Sequence, residues 1–265
     1  MKKILIMLSL IGIFSTAYSY SCSGAAYYDI KRGYVTKNNK VFYEYSYKTT
    51  QVNKNKKEII SKEEENKEIK GVDIATFKQI NNYIGMDKNN LYYGSKNIGK
   101  SEGFESLGAY YTYKACTSAK ENYMIKNSDT VFINDKIIDL DAKTTEVLYL
   151  DTKQDSETGF TVMNLYAQDK NGVYYYSTFS DSMIKILNFT MKENDFKVLI
   201  TKNNARYFVT PYKVFLNGKE IKGADTKTFQ IVDNSSLALS KDKNNYYKDD
   251  IMVSKSEFDE YRKAK

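Results

Sequence analysis

Two residue patterns in this sequence have types and spacing that could do chemistry. The first is an aspartate two positions ahead of an asparagine: Asp87 and Asn89, Asp169 and Asn171, Asp242 and Asn244. That D-x-N spacing suits an oxygen-ligand loop for calcium. Calcium takes about six to eight oxygens, usually with several carboxylates, whereas each copy offers one aspartate beside a repelling lysine. The competing reading is a plain turn, because Asp and Asn side chains bond nearby backbone N–H groups and tolerate left-handed backbone. No metal ligand is assigned.

The second pattern is a set of adjacent tyrosines: Tyr92 and Tyr93, Tyr174 and Tyr175, Tyr246 and Tyr247. Neighbours on a strand point to opposite faces, so one ring of each pair is expected inward and the other outward. A row of outward rings would take a cell-envelope glycan or a protein partner. The alternative is that inner rings fill the core while outer rings stack across neighbouring strands. Only a contiguous patch signals binding.

Other chemistry is narrower. The chain has no histidine, which removes Ser-His-Asp and Cys-His catalysis and the common zinc sites. Glycines 94, 99, 103 and 108 match no phosphate-binding loop. The 33 acidic residues leave glycosidase chemistry open, but nothing marks a carboxylate pair facing across a cleft. No nucleophile–base pair emerges, so no catalytic or cofactor-binding residue is assigned. The expectation is a protein that is not an enzyme and needs no cofactor. The alternative is a carbohydrate-active enzyme or glycan-binding module using exposed tyrosine rows and an unmarked carboxylate pair.

Both patterns belong to one repeat. DKNNLYY (87–93) recurs as DKNGVYY (169–175) and, one residue shorter, as DKNNYY (242–247). TKNNKVF (36–42), NSDTVFI (127–133) and TKNNARYF (201–208) are looser echoes. Starts about forty residues apart mark a supersecondary unit that cannot bury its apolar face alone. A second module, YYGSKNI (92–98), FINDKII (132–138) and FLNGKEI (215–221), reads as a hairpin. Asn217-Gly218 is its clearest two-residue turn.

A third module, KEIKGVDIATF (67–77) and KEIKGADTKTF (219–229), agrees at eight of eleven positions. Asp73, Asp141 and Asp225 begin its capped turn, with Thr190 and Ser256 as candidates for the same role from their capping-box spacing to Glu193 and Asp259. One unit therefore reads strand, tight turn, strand, capped turn, strand, then the Asp-Lys-Asn turn.

On the residues at 87–93, 169–175 and 242–247 the chain resembles the DKNYY family of bacterial envelope repeat proteins. The resemblance spans most of the chain and implies a repeat fold and no catalytic residue.

Residues 1–19 read as a signal peptide: Lys2 and Lys3, an apolar run from Ile4 to Phe14, then the small-x-small site Ala17-Tyr18-Ser19. The run is too short to span a membrane, and no later stretch reaches about 18 apolar residues. Export to the periplasm, the cell surface or the medium is expected. Lipid anchoring at Cys22 is less favoured because Ser19 stands where a lipobox has Leu. After export Cys22 and Cys116 can form a disulfide, remain two buried thiols, or leave Cys116 free beside a lipidated Cys22.

The formal charge of +7 is dispersed among acids rather than clustered, which argues against nucleic acid as partner. Residues 20–265 form the repeat region. Residues 51–70 stand out within it as a charged insertion, read as an exposed loop or marginal helix, and 254–265 as a terminal helical cap. With 25 tyrosines and short alternating runs, the expected fold is all-β: a repeat array of β-hairpins and meanders with short capped helical turns. The alternative is a small β-propeller. The mature protein should begin near Tyr20 and carry no lipid. Intact mass and N-terminal sequencing of exported material decide this, and a diacylated Cys22 would overturn it.

Overall fold

A computed structural model describes residues 26–53, 56–112, 120–154, 161–177, 182–201, 205–232 and 238–263. Six antiparallel sheets follow one another along it, each a meander of sequential strands. Sheet 1 has three long strands, Ala26–Lys37, Lys40–Asn53 and Lys56–Glu68. Sheet 2 runs Lys78–Gln79, Ile84–Met86, Asn90–Tyr93, Lys96–Lys100, and sheet 3 runs Glu105–Thr112, Lys120–Lys126, Val131–Ile133, Lys136–Ile138. Sheet 4 comprises Glu146–Gln154, Thr161–Asp169, Gly172–Ser177 and Ser182–Leu187. Sheet 5 comprises Lys197–Ile200, Arg206–Val209, Val214–Leu216 and Lys219–Glu220. Sheet 6, Gln230–Ile231, Leu239–Lys241, Tyr246–Lys248 and Ile251–Val253, is followed by the helix Lys255–Lys263.

The chain is thus an all-β repeat array. Its unit has four strands rather than the three read from the sequence, because first strands such as Lys78–Gln79 and Gln230–Ile231 are two residues long and carry no periodic signal.

Sheets 2 to 5 each bury both faces, one against the predecessor and one against the successor, and sheets 1 and 6 each bury one face against a neighbouring sheet. Tyr34, Val41 and Tyr43 of sheet 1 pack on Tyr92 of sheet 2, and Ile84 and Leu91 of sheet 2 on Ile125 and Phe132 of sheet 3. Met124 and Val131 meet Leu165 and Tyr174 of sheet 4, while Tyr166 and Tyr175 meet Phe208 and Phe215 of sheet 5. Tyr207 and Val214 meet Phe229 and Tyr247 on the way into and within sheet 6. Among the described residues no such cluster joins sheet 6 to sheet 1.

Its ends are blunted. The outer face of sheet 1 carries the ion pairs Lys37–Glu44 and Lys40–Glu68. The outer face of sheet 6 is covered by the helix, whose buried Phe258 lies 4.9 Å from Tyr246, ring centre to ring centre. A polar or capped terminal repeat is what keeps a stack of apolar layers soluble.

Four expectations change. The charged segment 51–70 is neither loop nor helix, since Lys56–Glu68 pairs with Lys40–Asn53 along its length. Its exposed charges at 64–67 suit a sheet edge, where they discourage pairing with other chains. The helix is capped by Ser254 and not Ser256: Ser254 Oγ accepts the Glu257 N–H at 3.2 Å while the Glu257 carboxylate accepts the Ser254 N–H at 2.8 Å. Thr190 does not open a capped turn, which lies instead at Lys192–Asp195, with the Asp195 N–H donating to the Lys192 carbonyl at 2.9 Å.

TKNN at 201–204 lies between the first and second strands of sheet 5, whereas the repeat's turn there is Thr210-Pro211-Tyr212-Lys213. Residues 202–204 lie outside the described residues; Thr201 Oγ1 accepts the Ala205 N–H at 3.0 Å, and Thr210 Oγ1 accepts those of Tyr212 and Lys213. The signal segment, Cys22 and Cys116 lie outside the described residues.

The hairpins after the third strands follow from turn chemistry. Asn217 and Gly218 both have positive φ, +48° and +80°, as a two-residue turn of this hand needs. A Cβ on Gly218 would lie 2.1 Å from the Tyr175 ring of sheet 4. Gly218→Val should therefore lower stability by about 2–5 kcal/mol, combining positive-φ strain with overpacking. Urea midpoints of the two proteins measure this; an unchanged midpoint with an unchanged slope would mean that the turn does not bear on the sheet 4–sheet 5 interface.

Candidate functional site

The repeated aspartate is buried, and its oxygens are occupied. Asp87 Oδ1 accepts the N–H groups of Asn89 and Asn90 at 2.8 and 2.7 Å. Its Oδ2 accepts the N–H of Asp73 at 3.0 Å and the hydroxyl of Tyr92 at 2.8 Å. Asp242 repeats this with Asn244 and Asn245 at 2.7 and 2.8 Å, Asp225 at 2.9 Å and Tyr247 at 2.8 Å. Asp169 accepts the N–H groups of Asn171 at 2.8 Å and Asp141 at 2.9 Å and a bond from Asn171 Nδ2 at 3.2 Å, and the nearby Tyr174 hydroxyl helps to stabilise its charge.

One carboxylate thus joins three things: its own turn, the connection entering the sheet, and the aromatic ring five residues on. Around it the turn lysine pairs with the first residue of the capped turn, Lys88–Asp73, Lys170–Asp141 and Lys243–Asp225, at 2.9, 2.6 and 3.1 Å. The same lysines' N–H groups donate to Thr76, Thr144 and Thr228 Oγ1 at 3.1, 3.0 and 3.1 Å. We refer to the assembly as a staple.

Sheets 3 and 5 lack the acid. Asn127 accepts the N–H groups of Asp129 and Thr130 and donates through Nδ2 to the Lys100 carbonyl; Thr210 Oγ1 accepts from Tyr212 and Lys213. In both, the ring five residues on is phenylalanine, Phe132 and Phe215. Tyrosine stands where there is a carboxylate to receive its hydroxyl, and phenylalanine where there is none. This co-occurrence was readable in the sequence and is the signal that the reading of isolated motifs missed.

The electrostatics follow. Burial pushes the Asp87 carboxyl up, but the N–H groups of Asp73, Asn89 and Asn90 and the Tyr92 hydroxyl together hold it below the usual carboxylate range. Asp169 and Asp242 are lowered by the same opposition. The lysine beside Asp141, with Thr144, takes that carboxyl to about 2. Burial, with help from the neighbouring carboxylates, raises the Tyr174 and Tyr247 hydroxyls to about 12. These aspartates are ionised structural acceptors. Among the described residues no cluster of acids and cysteines could hold a metal ion.

The tyrosine pairs form no outward row. Tyr92, Tyr174, Tyr175 and Tyr247 are buried, and Tyr93 and Tyr246 are half-buried. The pairs do alternate in direction, but the neighbouring sheet covers the second face, and for Tyr246 the helix does. Because the third copy is one residue shorter, Tyr247 is the equivalent of Tyr92 and Tyr174, while Tyr246 takes the place of Leu91 and Val173. The ring five residues past the turn's first residue always faces the preceding sheet: Tyr92, Phe132, Tyr174, Phe215 and Tyr247.

Beside the staple of sheet 4 lies a cleft of about 390 Å³ that includes Asp139, Asp141, Asp169, Tyr174 and Lys185. A glycosidase needs one carboxylic acid held protonated, and Asp141 and Asp169 are both shifted the other way.

The profile of the DKNYY family matches residues 53–188 and, in an overlapping second match, residues 101–251. No curated protein matches the chain.

Asp87→Asn turns a donor toward the Asp73 N–H and the Tyr92 hydroxyl and should cost roughly 1–3 kcal/mol. Tyr92→Phe removes one bond to a charged acceptor and should cost roughly 1.5–3 kcal/mol. Combined, the two changes recreate the Asn–Phe pairing of sheet 3, so the double variant should cost less than the sum of the singles by about 0.5–3 kcal/mol. Additive urea midpoints would refute the coupling. With the aspartates lowered, their stabilisation is present above the ordinary carboxylate pKa of about 3.9 and is lost as pH falls through the lower folded value. An acid titration of unfolding should show this loss, shallower in Asp87→Asn.

Proposed function

The chain belongs to the DKNYY family, and from that premise we propose that it is an exported, non-catalytic protein of the cell envelope that acts by binding or by structural display. The observation that carries this reading is the occupancy of the repeat's polar groups. Asp87, Asp169 and Asp242 each accept the N–H of an entering connection, and Asp87 and Asp242 a tyrosine hydroxyl as well. Their lysines are held by the capped turns. The recurring motif builds a series of stacked layers, and such a series displays surface.

Export is supported by the signal-like start described above. Among the described residues no helix is long and apolar enough to cross a membrane. A glycan or a protein is the expected partner, and nucleic acid is not, because the positive charge is dispersed.

The full chain, expressed with its first 19 residues, should reach the envelope or the medium in processed form. There it should sediment with purified cell wall without releasing reducing sugar. Retention in the cytoplasm would end the export reading, and time-dependent release of reducing ends by the purified protein would end the non-catalytic one.

A further inference from the structure

The fifth sheet departs from the repeat at a solvent-facing position, and the other sheets supply the comparison. The second and third residues of the turn are Lys88-Asn89, Ser128-Asp129, Lys170-Asn171 and Lys243-Asn244 in sheets 2, 3, 4 and 6. In sheet 5 they are Pro211-Tyr212, which places the sequence's single proline at an exposed site. Tyr212 is 69% exposed and meets Phe189, itself 44% exposed, edge to face with ring centres 5.2 Å apart. Phe189 comes from the connection between sheets 4 and 5. Neither ring belongs to the buried clusters of sheets 4, 5 and 6, and adjoining exposed rings from separate segments form a surface patch rather than core.

The same departure removes a bridge. With proline in place of the turn lysine, sheet 5 has no counterpart of Lys88–Asp73. A cleft of about 310 Å³ opens between the entering connection, the turn and the next connection, and includes Asn194, Asp195, Phe196, Val209, Pro211 and Lys227. Its lining combines the apolar Phe196, Val209 and Pro211 with an amide, a carboxylate and an ammonium. Asp195 accepts one N–H, from Lys192 at 3.2 Å, which leaves further acceptor capacity on its carboxylate. Pro211, which the adjoining Tyr212 follows in the chain, has its carbonyl fixed by the Thr226 hydroxyl at 3.1 Å.

We infer that this cleft and the Phe189–Tyr212 pair form an oligosaccharide-binding site. A sugar offers an apolar C–H face to stack on an exposed ring and hydroxyls at its edge to exchange hydrogen bonds with Asn194, Asp195 and Lys227. Sites for small ligands combine an apolar, aromatic surface with a few placed polar groups in this way. An apolar peptide laid over the cleft would strip water from those polar groups without replacing their bonds. The inference deepens the envelope-binding reading and rests on it.

Isothermal titration of the purified mature protein with a soluble β-1,4-linked N-acetylglucosamine hexamer, and with cellohexaose, tests it. The wild type should bind at least one of them. Tyr212→Ala and Phe189→Ala should each weaken binding by roughly ten-fold or more, as loss of an aromatic anchor does. Pro211→Lys combined with Tyr212→Asn, which restores the ordinary turn of the repeat, should fold with an unchanged Tm and lose binding. Tyr212→Phe should keep it, and Ile137→Ala, an exposed aliphatic on sheet 3, should leave it untouched.

Wild-type affinity in the restored-turn variant would overturn the site, as would a wild type that binds neither sugar. Sedimentation of the wild type with cell wall is scored separately. Wall association that persists in Tyr212→Ala defeats this inference and leaves the envelope reading standing.

Discussion

The bond between a buried carboxylate and a tyrosine hydroxyl organises this molecule. Asp87, Asp169 and Asp242 each lie where a turn, an entering connection and a sheet's central ring meet; all three accept donors from the turn and the connection, and Asp87 and Asp242 also accept the ring's hydroxyl. An ionised carboxylate has lone pairs enough for four donors and is a stronger acceptor than a neutral group. The cost of burying it is therefore offset so long as the donors arrive. The rest of the local geometry follows from that condition. The capped turn must begin where its first N–H reaches the carboxylate, and the ring must point back toward the preceding sheet.

That direction fixes the stacking. In sheets 2 and 6 the residue after the capped turn's threonine, Phe77 or Phe229, fits between two rings. It lies 5.4 Å from Tyr34 and 6.3 Å from Tyr92 in the first case, and 5.3 Å from Tyr207 and 6.3 Å from Tyr247 in the second. The hairpin turn of one sheet also sits over a ring of the sheet before it, Gly94 on Tyr43 and Gly218 on Tyr175. A glycine with positive φ serves two needs here, the hand of the turn and the close approach of an aromatic face. Tyrosine is suited to such layers because its ring fills the gap between sheets while its hydroxyl reaches a partner at the edge.

Much of this was legible in the sequence, and what was not has physical reasons. Asn217-Gly218 and the Asp-Lys-Asn turns could be read because turn chemistry is local. The half-burial of Tyr93 and the burial of Tyr175 could not, because alternation along a strand tells which rings oppose each other and not whether a second sheet covers the outer one. Lys56–Glu68 was hidden by its charges, since cross-strand pairs such as Lys40 with Glu68 let a polar segment serve as a strand. The turn of sheet 5 was misplaced because TKNN copies the motif's letters, whereas Thr210-Pro211-Tyr212-Lys213 copies only its hydrogen bonds. The Asp–Tyr link was written in the spacing of five residues and became visible once the Asn127–Phe132 and Thr210–Phe215 units stood beside it as controls.

The alternation of the staple also separates two kinds of freedom. Sheets 2, 4 and 6 are fixed by an acid whose partners come from outside its own turn, so a change at those positions propagates into a connection and an interface. Sheets 3 and 5 close their turns with neutral side chains. Thr210 satisfies its own turn alone, accepting from Tyr212 and Lys213 and donating to the Lys213 carbonyl. Nothing then requires the second and third residues of that turn to be lysine and asparagine, because no capped-turn aspartate waits for the lysine. The site at Phe189 and Tyr212 lies at the position where the architecture makes no demand. With no staple to complete, the second and third residues of that turn are free to face a ligand.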